Sequence, residues 1–136
     1  KYFEENKFTK TVCGSYIYIF DKNKKYKKKN PVNHGKIKLN LYFRNCIAHG
    51  SVMFPRKIIN EYHFYNEKLS CAQDYELWRN LVKRVKFHNI PKYLYSYRVH
   101  DHAITAKHKR KQYYNSILIS LFGFFRIGRR FNLNYL

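Results

Sequence analysis

Ten consecutive residues, Thr11 to Phe20 (TVCGSYIYIF), carry no charge in a chain where 26% of residues are charged. The run is β-branched and aromatic and reads as a buried strand. The rest of the chain has to be organised around it. Asp21 to Asn30 is a turn loaded with lysine at 22, 24, 25, 27, 28 and 29, closed by Pro31. Apolar residues then recur at Ile37, Leu39, Leu41 and Phe43, an alternation that fits a strand and also a short helix. Ile47 to Phe54 (IAHGSVMF) reads as a second core strand. Pro55 to Tyr62 reads as a short helix opened by proline, which a first helical turn tolerates.

Ser70-Cys71-Ala72-Gln73 has the form of a capping box. It would launch a helix through about Val85, with Leu77, Trp78, Leu81, Val82 and Val85 on one face. Val85 to Ile90 and Tyr93 to Val99 read as short strands separated by Pro91, and His100 to Thr105 as a loop. Ala106 to about Phe125 is a strongly basic helix that turns apolar towards its C-terminal end. Lys1 to Lys7 fits the tail of a further helix. No internal repeat is visible. Helices and strands alternate, so the fold class is α/β, a mixed sheet with flanking helices. A length of 136 residues is enough for one domain with one core.

Composition narrows the function classes. Hydrophobic residues make up 45% and aromatic residues 19%, which excludes a disordered chain despite the charge. Fourteen tyrosines suit strands and carbohydrate or membrane-interface surfaces, and compositional drift produces the same count. Twenty-eight lysines and arginines against eight acids give a net charge of +20, which draws the surface to a polyanion: nucleic acid, anionic lipid or a phosphorylated substrate. Cys13, Cys46 and Cys71 are odd in number and lack CxxC spacing, so they read as small buried hydrophobes in a reducing compartment rather than a disulfide set or zinc site. The start, Lys1-Tyr2-Phe3-Glu4-Glu5, lacks the apolar core of a signal peptide. Ile117 to Phe125, the longest apolar candidate, is too short to span a bilayer.

Acids are scarce, so the chemistry must come from few residues. Asp74 and Glu76 are two apart on a helix and do not face each other. Asp74 falls in the first helical turn, where the dipole favours negative charge. A carboxylate there fits, on position alone, a helix-start residue before it fits a base able to take a proton from a hydroxyl.

The surrounding spacing points further. Ala72-Gln73-Asp74-Tyr75-Glu76-Leu77-Trp78 resembles the Glu-Asp-Tyr-Asp-Leu-Trp signature of family 2 glycosyltransferases, with Gln73 where many relatives carry Glu. Phe43 to Phe54 is similar to the family's N-x-I-x-H-x-S-V-M-F segment. Tyr65-Asn66-Glu67 stands at the Tyr-x-Glu turn, with His63 and Phe64 replacing a frequent glycine pair. Tyr97-Arg98-Val99-His100 resembles the closing Tyr-Arg-x-His element, with Thr105 where a serine usually follows. Val12-Cys13-Gly14-Ser15 matches the strand after the family's metal-binding loop. The resemblance covers roughly residues 1–112 as the C-terminal, acceptor-side half of a GT-A glycosyltransferase domain, leaving 113–136 as a basic and apolar C-terminal helix and tail.

That resemblance implies inverting transfer from a nucleotide-sugar donor to a glycan or lipid-linked acceptor, as in cell-surface polysaccharide or lipopolysaccharide synthesis. Asp74 would be the general base. His49 and Trp78 would serve acceptor binding, although His49 also fits a core hydrogen bond and Trp78 a core ring. A divalent cation, manganese or magnesium, belongs to the family's chemistry, and His100 matches a position that can join it. No Asp-x-Asp occurs in the sequence. The chain alone is therefore expected to be an inactive fragment of an enzyme whose donor half lies upstream. Lys107, Lys109, Arg110 and Lys111 precede Ile117 to Phe122, and Arg126, Arg129 and Arg130 come after it. This pattern suits a cytoplasmic protein held peripherally at the inner face of the cell membrane, and equally a helix packed on another part of the protein. The competing class is a basic nucleic-acid-binding module, although no such signature is present.

Overall fold

The computed structural model describes residues 2–5, 11–61, 65–100 and 107–125. Three strands form a mixed sheet of order β2-β1-β3: β1 (Thr11–Asp21), β2 (Lys24–Lys28) and β3 (Lys86–Val99). Around it lie α1 (Tyr2–Glu5), α2 (His34–Leu41), α3 (Arg56–Glu61), α4 (Gln73–Leu81) and α5 (Lys109–Phe125), with a 3-10 turn at His49–Ser51. The fold is α/β, and helix α5 runs unbroken across 112/113.

The uncharged run is indeed the central strand. Val12, Cys13 and Ser15 are buried, and β3 pairs with β1 in parallel from Thr11 with Lys86 to Asp21 with Val99, with two irregularities between. The two short strands expected around Pro91 are one strand. Ser15 pairs with Ile90 and Tyr16 with Tyr93, so Pro91 and Lys92 have no partner on β1. A proline cannot donate to the ladder, and an irregularity absorbs it.

The lysine-loaded turn is instead a hairpin arm. Strand β2 pairs antiparallel with β1, from Ile17 with Lys28 to Asp21 with Lys24. Lys22 takes a φ of 50° in the two-residue turn, the sign that primed hairpin turns require. Lys25 lies 4.0 Å from the centre of the Tyr18 ring, and Lys27 lies 5.7 Å from that of Tyr93. These cation–ring contacts hold an arm with no apolar residue of its own but Tyr26. Lysines also blunt the exposed edge against further pairing.

Two alternating patterns resolve against strand. Ile37 and Leu41, four apart, are both 0% exposed, whereas Leu39 is 61% exposed. That is the helical period of α2, and Asn33 caps it by accepting from the Lys36 N–H. The expected core strand over Ile47 to Phe54 contributes a single bridge, Met53 with Cys13. Ser51 donates its hydroxyl to the Ala48 carbonyl at 2.8 Å, which turns the chain before a ladder can form. Gly50 sits so close to the Tyr95 ring that a Cβ would overlap it.

The capping box is also absent. Helix α4 starts at Gln73 after Ala72, which is left-handed with φ 62°, and no side chain caps it. The helix ends at Leu81 with Val82 as its C-cap, short of the expected Val85. Leu77, Trp78 and Leu81 on it, and Val82 and Val85 beyond it, are all buried and join Val12, Ile37, Leu41, Ile58 and Phe87 in one core. The three cysteines are buried and free, and burial pushes the Cys13 and Cys46 thiols up to about 11.

Arg79 is the anomaly of this core. It is 4% exposed, and none of its three guanidinium nitrogens has a hydrogen-bond partner among the described residues. The Tyr42 ring lies 4.2 Å from its central carbon. A cation–ring contact returns about 2 kcal/mol when desolvated, whereas an unpaired buried charge costs several kcal/mol. Arg79→Met is therefore expected to stabilise the fold by about 1–4 kcal/mol. Urea unfolding followed by circular dichroism checks this, and a lowered midpoint would refute it.

His34 gives the fold a pH dependence. Its Nδ1 accepts from the Phe87 N–H at 3.2 Å, so the ring must be neutral there. Burial first, then Lys86 and Lys38, lower its pKa from 6.5. Since the folded value lies below the unfolded one, this contribution is complete above pH 6.5 and is lost as pH falls from there through the folded value. The His34→Gln variant is expected to flatten the decline of stability as pH falls below 6.5. An unchanged slope in thermal melts below that pH would count against it.

Candidate functional site

The site is built where three segments meet: the loop at 45–49, Tyr65, and the first turns of α4. Asn45 is a clamp. Its Oδ1 accepts from the Ile47 N–H at 3.1 Å, fixing the loop, and its Nδ2 donates to Asp74 Oδ2 at 2.8 Å. Asp74 is the second residue of α4, so its carboxylate stands at the positive end of the helix dipole. Among the described residues Oδ1 of Asp74 accepts no hydrogen bond. One oxygen is thus tethered while the other is left for a proton.

Tyr65 lies close enough to this carboxylate to feel its charge, and it links onward to His49. The Tyr65 hydroxyl lies 3.3 Å from His49 Nε2. Burial, and then the negative charge of Asp74, raise the Tyr65 pKa, which keeps its hydroxyl protonated and able to donate. His49 itself is exposed, and its ring centre lies 5.8 Å from that of Trp78. Trp78 is 0% exposed, with Phe54 at 6.4 Å and Phe87 at 6.1 Å in edge-on contact. A fully buried ring offers no face to an acceptor; Trp78 backs His49 from within the core. Ser51, which accepts from the Ser15 N–H at 3.1 Å, ties the same loop to β1. Gly14 completes that junction, because a Cβ there would strike the Asn89 amide oxygen. Glu76 points elsewhere and accepts from Asn66 Nδ2 at 3.4 Å.

The structure therefore gathers Asp74, His49 and Trp78, with Asn45 and Tyr65 between them. It does not bring His100 to the group. His100 follows Val99, which pairs with Asp21 at the hairpin end of the sheet. At 3.3 Å per residue it stands about 16 Å along the strand from Tyr95, the ring against Gly50. Among the described residues no group of three histidines, cysteines or carboxylates could hold a metal ion. The described residues thus do not make a cation site, and His100 supplies a single exposed side chain. His63, Phe64, His102 and Thr105 lie outside the described residues.

The sequence alone leaves Asn45 and Tyr65 without roles. Both sit inside recognisable segments, but neither residue type marks itself as part of a site. The signal available was positional: an asparagine two residues before a buried isoleucine is poised to bond its own loop.

No family model matches the chain. Among curated proteins it is similar to the O-antigen biosynthesis glycosyltransferase WbnJ of Escherichia coli, with 30% identity over 95 residues, 66% of this chain and 37% of that protein. It is also similar to a protein of Methanocaldococcus jannaschii named as an uncharacterized glycosyltransferase, with 31% identity over 119 residues, 83% of this chain and 40% of that one. The chain is related to glycosyltransferases. It spans about two fifths of the length of the curated relatives it matches.

Proposed function

We propose that this chain forms the acceptor-side part of an inverting family 2 glycosyltransferase of GT-A type that builds a cell-surface polysaccharide, with Asp74 as its general base. The observation that carries the reading is the tethered carboxylate: Asn45 holds Asp74 Oδ2 at 2.8 Å on the first turn of α4 and leaves Oδ1 without a partner among the described residues. One relative's name, an O-antigen biosynthesis glycosyltransferase, supports the polysaccharide class.

In this reading the acceptor is a glycan hydroxyl bound over the loop at 45–49. Its proton passes to Asp74 Oδ1 as its oxygen attacks the anomeric carbon of the donor. The bond to the nucleoside diphosphate breaks on the opposite face, and the configuration at that carbon inverts. Tyr65 and His49, linked to one another, orient the attacking hydroxyl by hydrogen bonds. The sequence has no Asp-x-Asp, so the donor's diphosphate is held by groups outside this chain.

The test is transfer from a nucleotide-sugar to a glycan acceptor, with manganese present, by this chain alone and by the chain joined to a donor-binding half. Proton NMR reads the anomeric configuration of the product. Activity confined to the joined protein, with inversion, is the expected result. A retained configuration would overturn the base assignment, and no transfer in either form would overturn the enzyme reading.

A further inference from the structure

Helix α5 is turned the wrong way for a helix whose partner is only the core beneath it. Its inward contacts include two polar ones: Asn115 Nδ2 donates to the Cys71 carbonyl at 3.1 Å, and Ser120 Oγ donates to the Tyr42 carbonyl at 2.6 Å. Ile119 is buried beside them. These bonds fix the rotation of the helix, and with it the face it shows outward. That face is apolar. Tyr113 is 70% exposed, Tyr114 62%, Ile117 39% and Leu121 52%. At 3.6 residues per turn these four and Arg110 fall within an arc of about 100°.

We propose that this outward face of α5 docks on an anionic lipid surface. The chemistry is graded from exposed Lys107, just before the helix, and Arg110 on it, through two tyrosines to Ile117 and Leu121. Basic groups pair with lipid phosphates, tyrosine rings sit at headgroup level, and aliphatic side chains reach the acyl boundary. No described helix is long and apolar enough to cross a membrane, so the contact is with the surface. A second copy of the chain fits poorly, because each copy carries +20 and α5 contains no acid to meet the other's cations. Nucleic acid accounts for the basic end but gives Ile117 and Leu121 nothing to bind. This surface is independent of the transfer reaction and can be tested without it.

The experiment is co-sedimentation of the 136-residue chain with vesicles of phosphatidylcholine doped with phosphatidylglycerol, against pure phosphatidylcholine. Binding to the anionic vesicles is expected to exceed binding to neutral ones about tenfold or more and to weaken with salt. Ile117→Ser with Leu121→Ser is expected to weaken binding to the anionic vesicles about tenfold, with an unchanged circular dichroism spectrum. Lys107→Ala with Arg110→Ala is expected to remove part of the anionic preference. Equal binding to both vesicle types would overturn the proposal. So would full anionic binding by the Ser variant, especially if an oligonucleotide displaced it, since charge alone would then explain it. A dimer in sedimentation velocity that the Ser variant dissolves would assign the face to a second copy and overturn it as well.

Discussion

Asp74→Asn, placed in a transfer-competent form of the protein, is expected to lower kcat by about 10²–10⁴-fold, the usual worth of a general base. The substitution keeps size and shape, and the new side chain can still accept from Asn45 through its amide oxygen. What it loses is the ability to take a proton. The helix start survives, because α4 depends on its buried apolar face and not on a cap. Donor affinity is expected to stay within a few-fold, since the proposed role of Asp74 begins only once the acceptor hydroxyl reacts. The measurement is kcat and KM for both substrates in the wild type and the variant. Retention of more than about a tenth of kcat would exclude general base catalysis by this carboxylate. A collapse in donor binding instead would place Asp74 in a different role. Tyr65→Phe makes a useful companion, as it removes the hydroxyl 3.3 Å from His49 and leaves the proton acceptor in place; its effect is expected to be smaller.

The parts of this fold that were legible in the sequence are those whose pattern comes from burial. Thr11 to Phe20 could only be an interior strand, and the spacing of Leu77, Trp78, Leu81, Val82 and Val85 could only face a core. Where the pattern came from something else it misled. Leu39 and Phe43 are 61% and 72% exposed, so the alternation they made with Ile37 and Leu41 was accidental. The hairpin arm β2 is five exposed residues with no strand-like composition, and only its partner β1 and the rings of Tyr18 and Tyr93 make it a strand. At Ile47 to Phe54 a local serine bond won over strand propensity. Ala72 adopts a left-handed conformation that its residue type disfavours by about 1–2 kcal/mol, so the helix start could not be read from capping preference.

The site divides in the same way. Asp74 and His49 were picked out by motif, whereas Asn45 and Tyr65 enter through contacts across long stretches of chain. No local pattern encodes such a contact. Arg79 is the clearest illegible element: between Trp78 and Asn80 on an amphipathic helix an arginine reads as solvent-facing, yet α4 is enclosed on that side too.

Trp78→Ala is expected to cost about 3–5 kcal/mol of stability, as for large aromatic side chains removed from a packed interior. That is a large part of the roughly 5–15 kcal/mol typical of a domain. The ring is 0% exposed and packs against His49, Phe54 and Phe87, so removing it leaves a cavity that its neighbours fill only by shifting. Trp78→Phe separates packing from polarity. Its Nε1 has no hydrogen-bond partner among the described residues, so the phenylalanine variant gives up area but also removes a buried donor left unmade, which itself costs about 1–3 kcal/mol. The phenylalanine variant should therefore retain most of the wild-type stability, while the alanine variant melts far lower or fails to fold. Thermal and urea unfolding by circular dichroism distinguish them, Trp78 being the single tryptophan and unusable as a common probe. Equal, small losses in both variants would mean that the ring is not the keystone between α4 and β3. The support it gives His49 would then need another source.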